Sequence, residues 1–462
     1  MGTGTKLFGV KMKRKSVASK ILYLVGAIVI VGLLYNLVSS YQENQPKLQY
    51  VFNQNGREQI VYPDSSFAVI SDLHYYDPSL GTTGPAFEAC LYSDRKLLRD
   101  GPDLLKLTID EIIKSKVDFV LIPGDLSKDG ELVCHQKVAE ELAKLTQNGI
   151  KVYVIPGNHD INNPLAYQYQ GDQTIPVAAI NAEQFADIYK DYGYASAIYR
   201  DSDSLSYVAE PVNNLWIIAL DVCRYRENVP GKEETIGGRL TQSQEKWLES
   251  MLAKANASGK AVLFMEHHGV VEHWTGQSKL HPDYLLEDYK NFGRLLASYH
   301  VPVVFTGHYH AQDITLAQFD GGHQLYDIET GSLLTDPCPI RFCAIADNKL
   351  EITSKKLVGE LHPGTDFKKN ADQFLFDTIE REAYDTLRGY HVPEKDAHTI
   401  ANFVTAGFVA HYQGDEDISE KPGFDESRLG LLSRVVYSTQ KYVVDGIWQD
   451  LPPADNHLTI AL

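Results

Sequence analysis

The stretch Phe119-Val120-Leu121-Ile122-Pro123-Gly124-Asp125 reads as a short buried strand running into a turn, with a carboxylate at its exit. Open α/β sheets place their sites at the carboxyl ends of strands, so Asp125 stands where a functional residue is expected. A Gly-Asp pair after a strand is by itself ordinary turn chemistry. Its company changes that. A second run of the same design, Val154-Ile155-Pro156-Gly157-Asn158-His159-Asp160, comes later in the chain. Asp72-Leu73-His74 precedes both, and His267-His268 and Gly307-His308-Tyr309-His310 follow both. All five clusters come after apolar, strand-like segments and carry hard or borderline metal ligands. They read as one dinuclear metal site with Asp125 between the metals.

Around these clusters the apolar spacing predicts strands at Phe67–Ser71, Phe119–Ile122 and Lys151–Ile155, separated by amphipathic helices at Leu104–Lys116 and Glu131–Asn148. That is a βαβαβ order, which implies parallel strands. Further strands are predicted at Leu205–Ala209, Leu215–Leu220, Ala261–Met265 and Val301–Phe305, with helices at Ala182–Tyr192 and, behind a Thr N-cap, at Thr241–Ala255. The Gly- and Pro-punctuated Tyr75–Pro102 reads as a lid or surface loop. Past Pro363 three helices are expected, Asp366–Arg388, Ala397–Tyr412 and Glu426–Trp448, as a small helical domain over 358–462. His391, His398, His411 and His457 are scattered there without ligand spacing and read as surface or packing residues.

The chain has 43 basic and 61 acidic residues, and six of the basic ones lie in residues 1–20, leaving a body of net charge −24. Such a body is a poor binder of nucleic-acid polymer, so any phosphate it handles must be drawn by a local charge such as a metal. After the basic tail (1–20), no charge occurs from Ile21 through Gln42. This run is long enough to cross a bilayer as a helix, and the positive flank predicts a cytoplasmic N-terminus with the body outside. A transmembrane anchor at 21–41 and a cleaved signal both fit, the second giving a secreted protein. Residues 42–64 read as a linker to a catalytic domain at 65–357. Five cysteines are too few for a disulfide-built fold, although an extracellular body would allow Cys338 and Cys343 to pair.

Side chains two apart on an extended segment share a face, so Asp72 with His74, and His308 with His310, can each present two ligands to one spot. By the same rule His267 and His268 cannot both face the metals. Carboxylates, imidazoles and one amide suit Mn, Fe or Zn better than Ca or Mg. Two cations need a shared anionic bridge, the role expected of Asp125.

In this order the motifs D-x-H, G-D, G-N-H-D, H and G-H-x-H resemble the calcineurin-like metallophosphoesterase superfamily over residues 65–357. The resemblance implies a four-layer αββα sandwich. It implies one metal at Asp72, His74, Asp125 and His310, and another at Asp125, Asn158, His267 and His308. His159 is then the imidazole that protonates the leaving oxygen, oriented by Asp160, while a metal hydroxide attacks phosphorus. Gly238-Arg239-Leu240, Gln244, Trp247-Leu248, the His267-His268 doublet and Glu329-Thr330-Gly331-Ser332 are similar to class III cyclic nucleotide phosphodiesterases. The N-terminal segment and helical C-terminus add a likeness to exported bacterial enzymes of that class. Gly269 stands where the family has Pro, which leaves His267 and His268 both open as the ligand. The expected substrate is a small phosphate ester, a (cyclic) nucleotide diester before a monoester of the nucleotidase kind. A non-catalytic tethered binding protein is the rival from another class, and no ligand is missing as that rival requires.

Overall fold

Three short runs of β-branched, aromatic and leucine residues begin the fold: β1 (Ser65–Val69), β2 (Phe119–Ile122) and β3 (Lys151–Val154), which pair in parallel. Their connections are the helices Gly101–Ser115 and Leu132–Gln147. Each buries one stripe at helical spacing, Leu105, Ile109 and Ile112 on the first and Val138, Leu142 and Leu145 on the second. The structure is a computed structural model describing residues 60–462. The predicted basic tail, the anchor or signal segment and most of the linker lie outside the described residues. Among the described residues no helix is long and apolar enough to cross a membrane.

A small hairpin, β4 (Tyr167–Gln170) and β5 (Gln173–Pro176), leads to a second sheet. Its strands are β6 (Tyr199–Arg200), β7 (Tyr207–Val212), β8 (Leu215–Ala219), β9 (Ala261–Met265), β10 (Val303–Thr306), β11 (Asp313–Gln318) and β12 (Gln324–Glu329). They lie in the order β11-β12-β10-β9-β8-β7-β6, with β8, β9, β10 and β12 parallel. The chain then returns to the first sheet with β13 (Pro339–Ala346), β14 (Lys349–Lys356) and β15 (His457–Ala461), giving the order β15-β14-β13-β1-β2-β3. The sheets meet through aromatic rings. Phe67 of β1 stacks on Phe119 of β2 at 4.9 Å and meets Phe305 of β10 edge-on at 5.4 Å. On the far side of the second sheet Phe264 packs against Phe292 of the helix Tyr289–Ser298.

The helix Gln242–Ala257 carries the expected Thr241 cap, in a full capping box with Gln244. Three C-terminal helices form, Phe367–Gly389, Glu394–Gln413 and Leu431–Ile447. Three expectations need correction. The 358–462 stretch is not helical to its end, because β15 pairs antiparallel with β14 and finishes the first sheet. The Tyr75–Pro102 segment is not a loose lid: it holds the helix Pro85–Tyr92, and Tyr76, Phe87 and Leu98 are wholly buried in the core. Its Gly and Pro residues hid those anchors, which have no helical or alternating period. All five cysteines are free, so Cys338 and Cys343 do not pair.

The Phe67 contacts are part of the core that joins the sheets. Phe67→Ala is expected to lower stability by about 3–5 kcal/mol, read as a shift of the urea midpoint. An unmoved midpoint would show that the sheets are held together elsewhere.

Candidate metal centre

The first sheet delivers its residues just past its strand ends. Asp72 and His74 follow β1, Asp125 follows β2, and Asn158 and His159 follow β3, while β9 and β10 of the second sheet deliver His267, His308 and His310. Backbone bonds lock the first two loops together: Asp72 N–H donates to Gly124 O at 3.2 Å and His74 N–H to Asp125 O at 2.9 Å. Gly157 and Gly307 are required by close approach. A Cβ on the first would strike the Asp125 carboxylate, and one on the second Ser71 Oγ and the Asp72 carboxylate.

Two donor groups result, Asp72, His74, Asp125 and His310 in one, and Asp125, His267 and His308 in the other. Asn158 joins the second, its Oδ1 3.2 Å from His267 Nε2. In the first, the Nε2 atoms of His74 and His310 lie 3.0 Å apart, and His310 Nε2 lies 3.3 Å from Asp72 Oδ1. Asp125 belongs to both. Its Oδ2 lies 3.5 Å from His74 Nε2 and 3.3 Å from His267 Nε2, while Oδ1 accepts from His159 N–H at 2.9 Å. All seven predicted ligands are brought together, but not as extended chain. Asp72, His74, Asp125, His308 and His310 all have positive φ, between 38° and 75°. The residue between each pair, Leu73 or Tyr309, turns into a core instead.

His267 faces Asp125, and its Nδ1 lies 2.7 Å from Pro123 O. A proton there leaves Nε2 as the donor atom. His268 turns away, its Nε2 2.9 Å from Ile236 O, so of the doublet it is His267 that faces Asp125. Burial pushes His268 down to about 3, with the charge of His267 adding to it. Burial also opposes protonation of His267, yet the Asp125 carboxylate overrides it and raises the imidazole to about 10. Burial lowers His74, His308 and His310. For Asp125 burial works upward, and the facing His267, His159 and His74 hold it well below the carboxylate range. Asp125 Oδ2 is buried without a hydrogen-bond partner. A buried carboxylate oxygen facing imidazole nitrogens on two sides fits two metal ions.

The expected partner of His159 is corrected. Its Nδ1 lies 2.9 Å from Asp129 Oδ1, not from Asp160. Asp160 instead accepts from the N–H groups of Leu126, Ser127 and Gly157, tying the Asp125 loop to the Asn158 loop. Burial opposes the Asp129 charge, but Lys128 and His159 hold its pKa below the usual range. Burial likewise lowers His159, while Asp125 and Asp129 carry it up to about 9. Lys96, also missed, is buried at the edge of the centre and pairs with Asp94 at 3.4 Å. No motif marked it. A cleft of about 430 Å³ opens over the centre, lined by Lys96 and His159 and by Arg95, which donates to Tyr412 Oη at 2.7 Å and pairs with Glu382 on the C-terminal helices. The C-terminal helices line another side, with Leu387, Val404 and Val443 beside Glu382, Thr386 and Gln440.

An α/β fold with two donor groups sharing one carboxylate is the build of a dinuclear metallohydrolase. The chain belongs to the calcineurin-like phosphoesterase family, whose model matches residues 65–312. Among solved structures it is similar to a dimetal phosphatase from Danio rerio, at 16% identity over 64% of this chain and 97% of that one, with TM-score 0.46. A purple acid phosphatase from yellow lupin seeds is 12% identical over 64% of this chain and 52% of that one, with TM-score 0.39. A sulfate thiohydrolase from Thermus thermophilus is 13% identical over 70% and 62%, with TM-score 0.35. The family match carries the assignment, not these likenesses. No curated protein matches the chain.

Metal analysis separates the two histidines of the doublet. His267→Ala should lose about half of the bound metal, one ion of two, and His268→Ala should keep both. The reverse pattern would move the ligand to His268.

Proposed function

We propose that the chain is a phosphodiesterase, hydrolysing a small phosphate diester whose phosphorus sits over Asp125. The carrying observation is the Asp125 carboxylate, shared between two donor groups at the floor of a cleft. Manganese, iron or zinc ions, when bound there, supply Lewis-acid polarisation and a nucleophile at neutral pH. The chain's own residues do the rest. Asp129 holds His159 by Nδ1, which leaves Nε2 to give a proton to the departing oxygen. Lys96 brings a cation to the phosphate end of the cleft. The C-terminal helices put Leu387, Val404 and Val443 into the cleft, apolar surface on which an ester arm can rest, and this supports a diester reading.

Cyclic nucleotides are the diesters favoured by the resemblance of Gly238-Arg239-Leu240 and Glu329-Thr330-Gly331-Ser332 to class III enzymes. A panel of bis(p-nitrophenyl) phosphate, p-nitrophenyl phosphate and 2′,3′- and 3′,5′-cyclic nucleotides tests the reading. Diester turnover supports it; turnover of the monoester alone would replace it with a phosphomonoesterase. An outward-facing, membrane-anchored or secreted enzyme is proposed from the charge pattern of residues 11–42. Activity protected from protease in intact cells would reverse that orientation.

The proton donor has its own test. His159→Ala should cost roughly 10²–10⁴-fold on a diester with an alkoxide leaving group. The loss should be much smaller with a phenolate leaving group, which hardly needs a proton. Asp129→Asn should follow the same pattern at smaller size. Equal losses on both substrates, with metal retained, would remove the proton from the account.

A further inference from the structure

Beyond the cleft, where β11 begins and the C-terminal segment crosses it, acidic residues distant in sequence are buried together. Asp313 opens β11 and is 1% exposed; His411 lies in the last turn of the helix Glu394–Gln413; Glu416 follows it, 8% exposed. One donor atom from each lies within 4.8 Å of the others. The hydrogen bonds there are incomplete. Asp313 Oδ1 is engaged, 2.5 Å from His273 Nδ1 and 3.0 Å from Thr315 Oγ1. Its Oδ2 has no hydrogen-bond partner and lies 3.5 Å from His411 Nδ1. Glu416 Oε1 lies 2.5 Å from His411 Nδ1, while its Oε2 is buried and unpaired. Asp450 Oδ1 is also buried and unpaired.

Neighbouring groups do not make up the deficit. Asp415 and Asp455 are spent on each other's backbone: Asp455 N–H donates to Asp415 Oδ1 at 2.7 Å, and Asp415 N–H to Asp455 Oδ2 at 2.6 Å. The buried Arg341 guanidinium gives its NH2 protons to the carbonyls of Asp313 and Glu329, and an NH1 proton to that of Asp455. It therefore reaches no carboxylate of the cluster. His273 faces Asp313, Asp327 and Glu329 at once, three carboxylates for one imidazole. Buried carboxylate oxygens stay unpaired only at high cost, and proteins resolve this by protonating them, pairing them or giving them a metal.

We propose that Asp313, His411 and Glu416 form a third cation site, separate from the dinuclear centre, with Asp450 beside it. Two carboxylates and an imidazole suit Mn²⁺ or Zn²⁺. The ion would join β11 to the end of one C-terminal helix and the loop after it, stapling the helices that wall the cleft to the second sheet. His411, which sequence spacing reads as a packing residue, would then be a ligand.

The test is a count of metal in a protein whose dinuclear centre is disabled. Asp125→Asn/His267→Ala, loaded with Mn²⁺ and freed of excess, should retain one ion per folded chain. Mn²⁺ should also raise its melting temperature. Adding Glu416→Gln, which keeps the side chain's shape, should remove both the ion and the shift. No retained metal in the folded double variant would overturn the proposal. Retention undiminished by Glu416→Gln would place the ion elsewhere and overturn it equally. A triple variant that fails to fold is replaced by His411→Gln in the same background, read the same way. None of these readings depends on catalysis, so a failed phosphodiesterase assay leaves them intact.

Discussion

The two oxygens of Asp125 are held in different surroundings, and much of the structure maintains that difference. Oδ1 accepts from the His159 backbone, while Oδ2 is left facing His74 on one side and His267 on the other. Keeping it so requires three loops held against one another. Asp160 does this by taking three backbone N–H groups from two of them, and a glycine at 157 lets the loops touch. The parallel order β1-β2-β3 puts those loops side by side, and the facing second sheet brings the histidines after β9 and β10 across the gap. The centre exists only where both sheets end together.

The strands, their helices and the residues that cluster at the centre were legible in the sequence because each leaves a local mark. Periodicity shows the parallel strands and their helices, and ligand residues after apolar runs have few bland explanations. What was hidden depends on direction or distance. Asp160 follows His159 directly and was the natural partner, yet Asp129, thirty residues earlier, makes the bond. Neighbouring side chains diverge in a turn, and only the tertiary path shows which carboxylate comes back. Lys96 sits in a segment whose anchors, Tyr76, Phe87 and Leu98, follow no period. Strand β15 is five residues beyond three helices, and its partner is a hundred residues away.

The alternation rule placed Asp72 with His74, and His308 with His310, on one spot for the wrong reason. An extended chain would do it without strain, but these residues are left-handed, at roughly 1–2 kcal/mol each for a side chain other than glycine. Burying a large apolar side chain returns about 1.5–3 kcal/mol. Leu73 is buried between its pair and Tyr309 between the other, so one buried anchor offsets much of the strain of two turned ligands. The middle residue of each motif is therefore part of how the metal ligands are aimed.

Tyr309 extends that logic to the C-terminal helices. Its ring packs in a cluster with Phe408, Tyr412 and Ile447, lies 5.8 Å from the His411 ring, and has its hydroxyl 2.8 Å from His281 Nδ1. Moving these helices would pull on Tyr309, and with it on His308 and His310 to either side. The same helices line the cleft. The helices lining the cleft and the loop that carries His308 and His310 thus share a single packed core. A change in the helices cannot alter the cleft without also bearing on the placement of His308 and His310, and this ties the C-terminal segment to the centre although it carries none of the seven clustered donors.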